Sequence, residues 1–358
     1  MFGNVNGASF LWISTRRRAI AALLAGFLVF TPIIVIESWG PWKLLGDMSL
    51  KKNAPQALSA VTSLAWAAKR NVDVVLLIGG STSREFTASD AHISRLLTQK
   101  CGHPMRFINA GTSSQNLLES WQITDAIPSS QRRLVVVGFN YLRFESGRRQ
   151  VYESTRTSTL PFQIPEHLKQ SLSEFHFSSI ATIFNPKAIA WLLKSLIYID
   201  IAAAPLSHQS LIASSEEEPY ISGRNLYRDP ALSQSRKEEF VSHMIMERLP
   251  IYQAMHNEAL DLWKIFTHDF VSSNSKVLFL GLPVSQEMKP LNDITVVPMT
   301  HDLSRLQSAG ALVVDWRTDH GLSEGDFYDQ QHLLSSGRGK LEKRFIDLLI
   351  TSTPGCSR

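Results

Sequence analysis

Apolar runs of strand length recur along the chain and end in short polar or glycine-bearing loops. Val74-Val75-Leu76-Leu77-Ile78 runs into Gly79-Gly80, Leu134-Val135-Val136-Val137 into Gly138-Phe139-Asn140, and Val277-Leu278-Phe279-Leu280 into Gly281. Met105–Asn109 and Ala311–Asp315 read as two further strands. Unbroken apolar runs bounded by glycine suit strands buried on both faces, as in parallel sheets. Between them, apolar positions return at helical spacing over Asp90–Lys100, Asn116–Ala126, Leu303–Ser308 and Gly339–Ile350, and over Arg236–Phe266 as one long amphipathic helix. Strand, polar loop and helix in repeated succession predict an α/β fold with a parallel five-stranded sheet and right-handed crossovers.

The periodicity breaks at about 145–235. Pro161, Pro165, Pro186 and a Ser/Thr-rich stretch fall there, and the apolar Ile189–Ala204 carries Lys194 and Asp200, which makes it a poor membrane span. We read this segment as an insertion that caps the active face or rests on a membrane. Glu216-Glu217-Glu218 reads as a solvated loop.

The amino terminus changes the picture. Arg16-Arg17-Arg18 precede Ala19–Ile36, an uncharged stretch. At about 1.5 Å per residue its ~18 residues nearly cross a bilayer core. It is longer than a usual signal-peptide core, and no small-x-small cleavage site follows. The pattern predicts an uncleaved signal anchor, with a cleaved signal peptide as the alternative. The arginines would stay cytoplasmic and the rest would lie outside, with Trp39, Trp42 and Lys43 at the interface. The expected organisation is a cytoplasmic N-terminus (1–18), a transmembrane helix (19–36), a linker and leading helix (37–70) with an amphipathic stretch over Ala57–Lys69, and a catalytic domain (71–358). The expected location is the inner membrane, single-pass, with the catalytic domain periplasmic.

The 358 residues carry a formal charge of +4 and two cysteines. No basic stripe with interleaved aromatics is present, so nucleic acid is excluded as a partner. The histidines lack ligand spacing, so no metal and no cofactor is expected.

The candidate chemistry lies in the loops that follow the strands. Ser81 stands directly after Gly79-Gly80, where a helix opens. Glycines there allow a sharp turn and close approach to backbone. The stretch lacks the Lys-Ser/Thr ending of a P-loop and the third glycine of a dinucleotide fingerprint. A serine nucleophile needs a base, a group to orient that base, and donors for the oxyanion. His332 supplies a base and Asp329, three residues earlier, an orienting carboxylate; Gly111 offers a backbone N–H and Asn140 an amide. Ser83 is an alternative hydroxyl, Asp326 an alternative carboxylate, and His320 reads as a loop residue. Asn140 and Gly111 also have plain readings as turn residues. Asp73 and Asp315 read as structural. Arg84 could contact an anionic or hydroxyl-rich substrate, or pair with Glu85 or Asp90.

Taken in order, Gly79-Gly80-Ser81, Asn109-Ala110-Gly111, Gly138-Phe139-Asn140 and Asp329-Gln330-Gln331-His332-Leu333 resemble the four blocks of the SGNH (GDSL-like) hydrolase superfamily. The resemblance runs from about Asp73 to the end. It implies a three-layer α/β/α sandwich of flavodoxin-like order 2-1-3-4-5, a triad of Ser81, Asp329 and His332, and an oxyanion hole of Ser81, Gly111 and Asn140. Gly80 stands where the Gly-Asp-Ser form has aspartate, and Tyr141 where an aspartate often follows the asparagine. In that order the first and last helices share a face, so a disulfide between Cys101 and Cys356 is feasible, with two free thiols as the alternative.

With the anchor, the chain resembles membrane-tethered members that acylate envelope polysaccharides beside a multispanning membrane-bound O-acyltransferase. The expected activity is serine-dependent acyl transfer, foremost O-acetylation of an exported or envelope polysaccharide. The alternatives are a carbohydrate or lipolytic esterase acting on an acyl-ester substrate, and a non-catalytic glycan-binding scaffold.

Overall fold

The computed structural model describes residues 71–112, 115–125, 127–157, 166–175, 231–272 and 274–356. The expected membrane anchor, the leading helix, Ile189–Ala204 and the acidic Glu216–Glu218 lie outside the described residues. Among the described residues no helix is long and apolar enough to cross a membrane.

The five expected strands are all present. They are β1 (Asp73–Ile78), β2 (Met105–Asn109), β3 (Arg132–Phe139), β4 (Lys276–Gly281) and β5 (Leu312–Asp315). They form one sheet in the order β2-β1-β3-β4-β5, and every pairing is parallel. All five therefore point their carboxyl ends the same way, and the loops that bear the candidate residues gather at one edge.

Because side chains alternate along a strand, β1 feeds two cores. Val74, Leu76 and Ile78 join one cluster with Trp121, Trp263 and Phe266; Val75 and Leu77 join the other with Phe107, Phe345 and Leu349. Helices cover both faces as a result. The Ser81 helix α1 (Ser81–Arg84) follows β1, and α2 (Asp90–Cys101) leads to β2. Next come α3 (Leu117–Asp125), then α4 (Arg148–Thr157) and α5 (Glu166–Ser171), which open the insertion. The carboxyl half holds α6 (Gln234–His243), α7 (Leu249–Phe270), α8 (Lys289–Ser308) and α9 (Ser335–Ser352). Phe345 of α9 meets Phe86 and Phe107 edge-on at 5.0 and 5.9 Å. On the other face Trp121 meets Phe266 edge-on at 5.6 Å.

The expected long helix at Arg236–Phe266 is helical throughout, with a π-helical turn over Met244–Arg248 between α6 and α7. Pro250 lies in the first turn of α7, where a missing N–H costs nothing. The short helix expected at Leu303–Ser308 is the end of a helix beginning at Lys289. Leu291, Thr295, Met299, Asp302, Leu303 and Leu306 are buried at near-helical spacing, and Pro298 sits inside the helix. Apolar packing along that stripe offsets the break a proline introduces.

Cys101, the last residue of α2, is bonded to Cys356 beyond α9. This closes a separation of 255 residues and fastens the helix that follows His332 to the helix that follows Ser81. Constraining so long a loop typically contributes about 2–5 kcal/mol. Cys101→Ser is therefore expected to lower Tm by roughly 5 °C or more. A thermal melt with the wild type in and out of reductant checks this, and unchanged melting in both comparisons would contradict it.

Candidate active site

The turn after β1 is built around Gly79 and Ser83. Gly79 has φ +149°, and a Cβ there would lie 1.9 Å from Ser83 Oγ. Ser83 Oγ is wedged equally against Gly138, is fully buried, and has no hydrogen-bond partner among the described residues. The alternative hydroxyl is thus a packing group inside the turn. Gly80 has φ −72° and ψ −165°, and nothing lies within 4 Å of where its Cβ would be. Contrary to the sequence reading, only the first glycine of the pair is needed for conformation. Gly80 also sits at the N-cap of α1 without a side-chain cap. Gly80→Asp, which restores the Gly-Asp-Ser form, is expected to keep the fold within about 0.5 kcal/mol, since glycine and aspartate differ by only a few tenths as N-caps. Gly79→Ala is expected to cost about 1–3 kcal/mol through overpacking. Denaturant midpoints of the two variants check the contrast.

Asn109, at the end of β2, clamps the Ser81 helix. Its Nδ2 donates to Ser83 O, Arg84 O and Thr87 Oγ1 at 2.9, 3.2 and 2.9 Å. Gln115 ties the first two loops together: Oε1 accepts from Gly79 N at 2.7 Å, and Nε2 donates to Ala110 O at 2.8 Å. The buried Arg143 guanidinium donates to Gln115 O and Ser120 Oγ and lies 4.9 Å from the Trp263 ring. Burial pulls its pKa down to about 10, against the opposing pull of Glu119.

The loop after β5 closes into a narrow turn. Phe327 and Leu333 bridge antiparallel, and both are buried in the second core cluster. Tyr328 N donates to His332 O at 2.8 Å. The base of the turn is fixed by Asp326, which accepts from Ser323 N, Ser323 Oγ and Lys340 Nζ at 2.9, 2.9 and 2.8 Å. Burial works against its charge, but these donors hold its pKa down at about 2. Asp326 is committed to that cap and does not orient His332. His320 is likewise a loop residue: Nε2 donates to Val284 O at 3.0 Å and Nδ1 accepts from Leu322 N at 3.0 Å.

At the tip of the turn, His332 reaches the Ser81 helix, with Asp329 behind it. Ser81 Oγ lies 2.9 Å from His332 Nε2, and His332 Nδ1 lies 2.7 Å from Asp329 Oδ2. Asp329 Oδ1 also accepts from the N–H groups of Gln331 and His332, both at 2.8 Å. Partial burial alone would raise the Asp329 pKa. The bonds from His332 and the two backbone donors outweigh it, and the net shift is downward. An ionised Asp329 needs Nδ1 protonated, which leaves Nε2 free to accept the Ser81 proton. The imidazole and Asp329 side chains are 14% and 18% exposed, so the pair is shielded yet reachable.

Three other candidates are placed differently from one another. Asn140 reaches the same edge and donates through Nδ2 to Gln331 Oε1. Gly111 does not present its N–H to the site: that group donates to Asn109 Oδ1 at 3.0 Å. A Cβ on Gly111 would lie 2.6 Å from Arg84 N, so the close approach it permits is to the Ser81 helix rather than to substrate. Gly111 thus packs against the Ser81 helix, with its N–H held by Asn109. Arg84, read as a substrate contact or as a partner of Glu85 or Asp90, is buried and paired with Glu85. Burial raises the Glu85 pKa, while His332 and Arg84 pull it back. Thr82, Ser83 and Arg84 of this helix are buried, and Ser81 is half-buried.

Gln115, Arg143 and Gln331 were missed in the sequence. None falls in an apolar repeat, and only the fold gives them their partners. Among the described residues no group of His, Cys, Asp or Glu side chains could hold a metal ion. No protein-family model matches the chain, and no curated protein matches it.

Proposed function

We propose that this chain catalyses acyl transfer through an acyl-serine formed on Ser81. The observation that carries the reading is the unbroken hydrogen-bond series from Ser81 Oγ through His332 to Asp329. His332 Nε2 takes the hydroxyl proton as Oγ attacks an ester carbonyl, and Asp329 supports the imidazolium that results. The proton then passes to the departing alkoxide, which leaves as an alcohol and frees the acyl-enzyme. The Ser81 N–H, in the first turn of a helix and so without an intrahelical acceptor, and the Asn140 amide serve the oxyanion. One such donor contributes about 3–4 kcal/mol to the transition state. His332 next deprotonates the acceptor, water or a sugar hydroxyl, which displaces Ser81.

The strand order and the position of this series at the carboxyl edge support the SGNH-type sandwich. The bonded cysteines suit an oxidising compartment. With the expected anchor, these features favour acylation of an envelope polysaccharide, with a membrane-bound O-acyltransferase as donor partner; hydrolysis is the same chemistry with water as acceptor.

Pre-steady-state mixing of the full chain with p-nitrophenyl acetate tests the reading. A burst of p-nitrophenolate equal to the enzyme concentration is expected, the mark of a covalent intermediate. Neither burst nor turnover would count against it and in favour of a glycan-binding scaffold.

A further inference from the structure

The carboxamide of Gln331 lies between the two halves of the site. Its backbone N–H donates to Asp329 Oδ1 at 2.8 Å, and its side-chain Oε1 accepts from Asn140 Nδ2. The residue is 7% exposed and belongs to the turn that carries His332, whereas Asn140 follows β3, 191 positions earlier. One residue therefore ties the amide at the end of β3 to the acid of the relay.

The chemistry of a primary amide makes this tie directional. The nitrogen side of an asparagine donates and the oxygen side accepts, and the two are nearly the same shape. Shape alone does not select which side faces the catalytic turn. The Gln331 amide, standing with Oε1 toward Asn140, does: that oxygen bonds the nitrogen of Asn140 and would repel its oxygen. Only the orientation with nitrogen toward the turn lets Asn140 act as a donor. Burial strengthens the selection, because a mispaired amide there has little water to turn to.

We infer that Gln331 is a positioning residue for Asn140, holding its amide as a donor to the oxyanion and linking it to the turn that aims His332. The inference rests on the acyl-serine reading. Gln331 touches no reacting atom and acts through Asn140, so the two side chains form one unit.

The test is a double-mutant cycle on the full chain with p-nitrophenyl acetate. Gln331→Met keeps the length of the side chain and removes the acceptor. It is expected to lower kcat by about 10–100-fold with KM changed less than about threefold, as for a loss felt in the transition state. The Asn140→Ala, Gln331→Met double variant is expected to be no slower than Asn140→Ala alone. An unchanged kcat in Gln331→Met, or a double variant whose loss is the product of the two single losses, would overturn the inference. A crystal structure of Gln331→Met gives a readout independent of turnover: the Asn140 amide is expected to leave its position, and an undisturbed amide contradicts the role. A wild type without turnover would thus sink the acyl-serine reading, while this structure still judges the placement of Asn140.

Discussion

Replacing Ser81 with alanine is expected to lower kcat toward activated esters by at least about 10⁴-fold, the scale on which triad members act. Its Oγ is the hydroxyl set 2.9 Å from His332 Nε2. Ser83, two positions on, cannot take over, because its Oγ is sealed between Gly79 and Gly138. The loss should be purely chemical. Removing one hydroxyl from a partly exposed position leaves the clamp from Asn109 and the bond from Arg84 N to Gly80 O in place. Stability should change by less than about 0.5 kcal/mol. Initial rates and a denaturant titration on the same preparation check both parts. Near wild-type rates in Ser81→Ala would place the nucleophile elsewhere.

Asp329→Asn is expected to cost about 10⁴-fold in kcat with little change in structure. Asparagine keeps an acceptor for the two backbone donors but loses the charge. Its NH₂ can also force the imidazole into the wrong tautomer, with Nδ1 as acceptor and Nε2 protonated. The pH dependence follows from the direction of the Asp329 shift. A carboxylate whose folded pKa lies below its ordinary value keeps its charge down past the usual carboxylate range and loses it only as pH falls through the lowered value. Asp329 therefore stays ionised across the neutral range. Asp329→Asn is accordingly expected to be slower than the wild type throughout roughly pH 6 to 9, with no inflection in the wild type from Asp329 itself. An Asp329→Asn variant as fast as the wild type anywhere in that window would contradict its placement.

The sheet was legible because its inner strands are buried on both sides. Val74–Ile78 and Leu134–Val137 leave no position for a polar side chain, and runs of that kind have few other readings. Helix limits were less so. The helix over Lys289–Ser308 contains Pro298, and it persists because Leu291, Met299 and Leu306 pack into the core. That contact depends on the tertiary fold and leaves only a faint local trace. Ser81, Asp329 and His332 were visible because the chemistry of a relay demands those types on strand-end loops. At Gly111 the sequence signals close approach without saying what approaches. Here it is the backbone of Arg84. Gln331 carries no signal of its own; its meaning comes from Asn140, a partner on another strand.

The most direct measurement is intact mass of the full chain after brief exposure to p-nitrophenyl acetate and acid quench, followed by peptide mapping. The account predicts a single added acetyl group on the peptide that contains Ser81, absent from Ser81→Ala and removed in the wild type by water or an added glycan acceptor. An acetyl group mapped to another residue, or a wild type that turns over ester with no adduct trapped at any quench time, would contradict it.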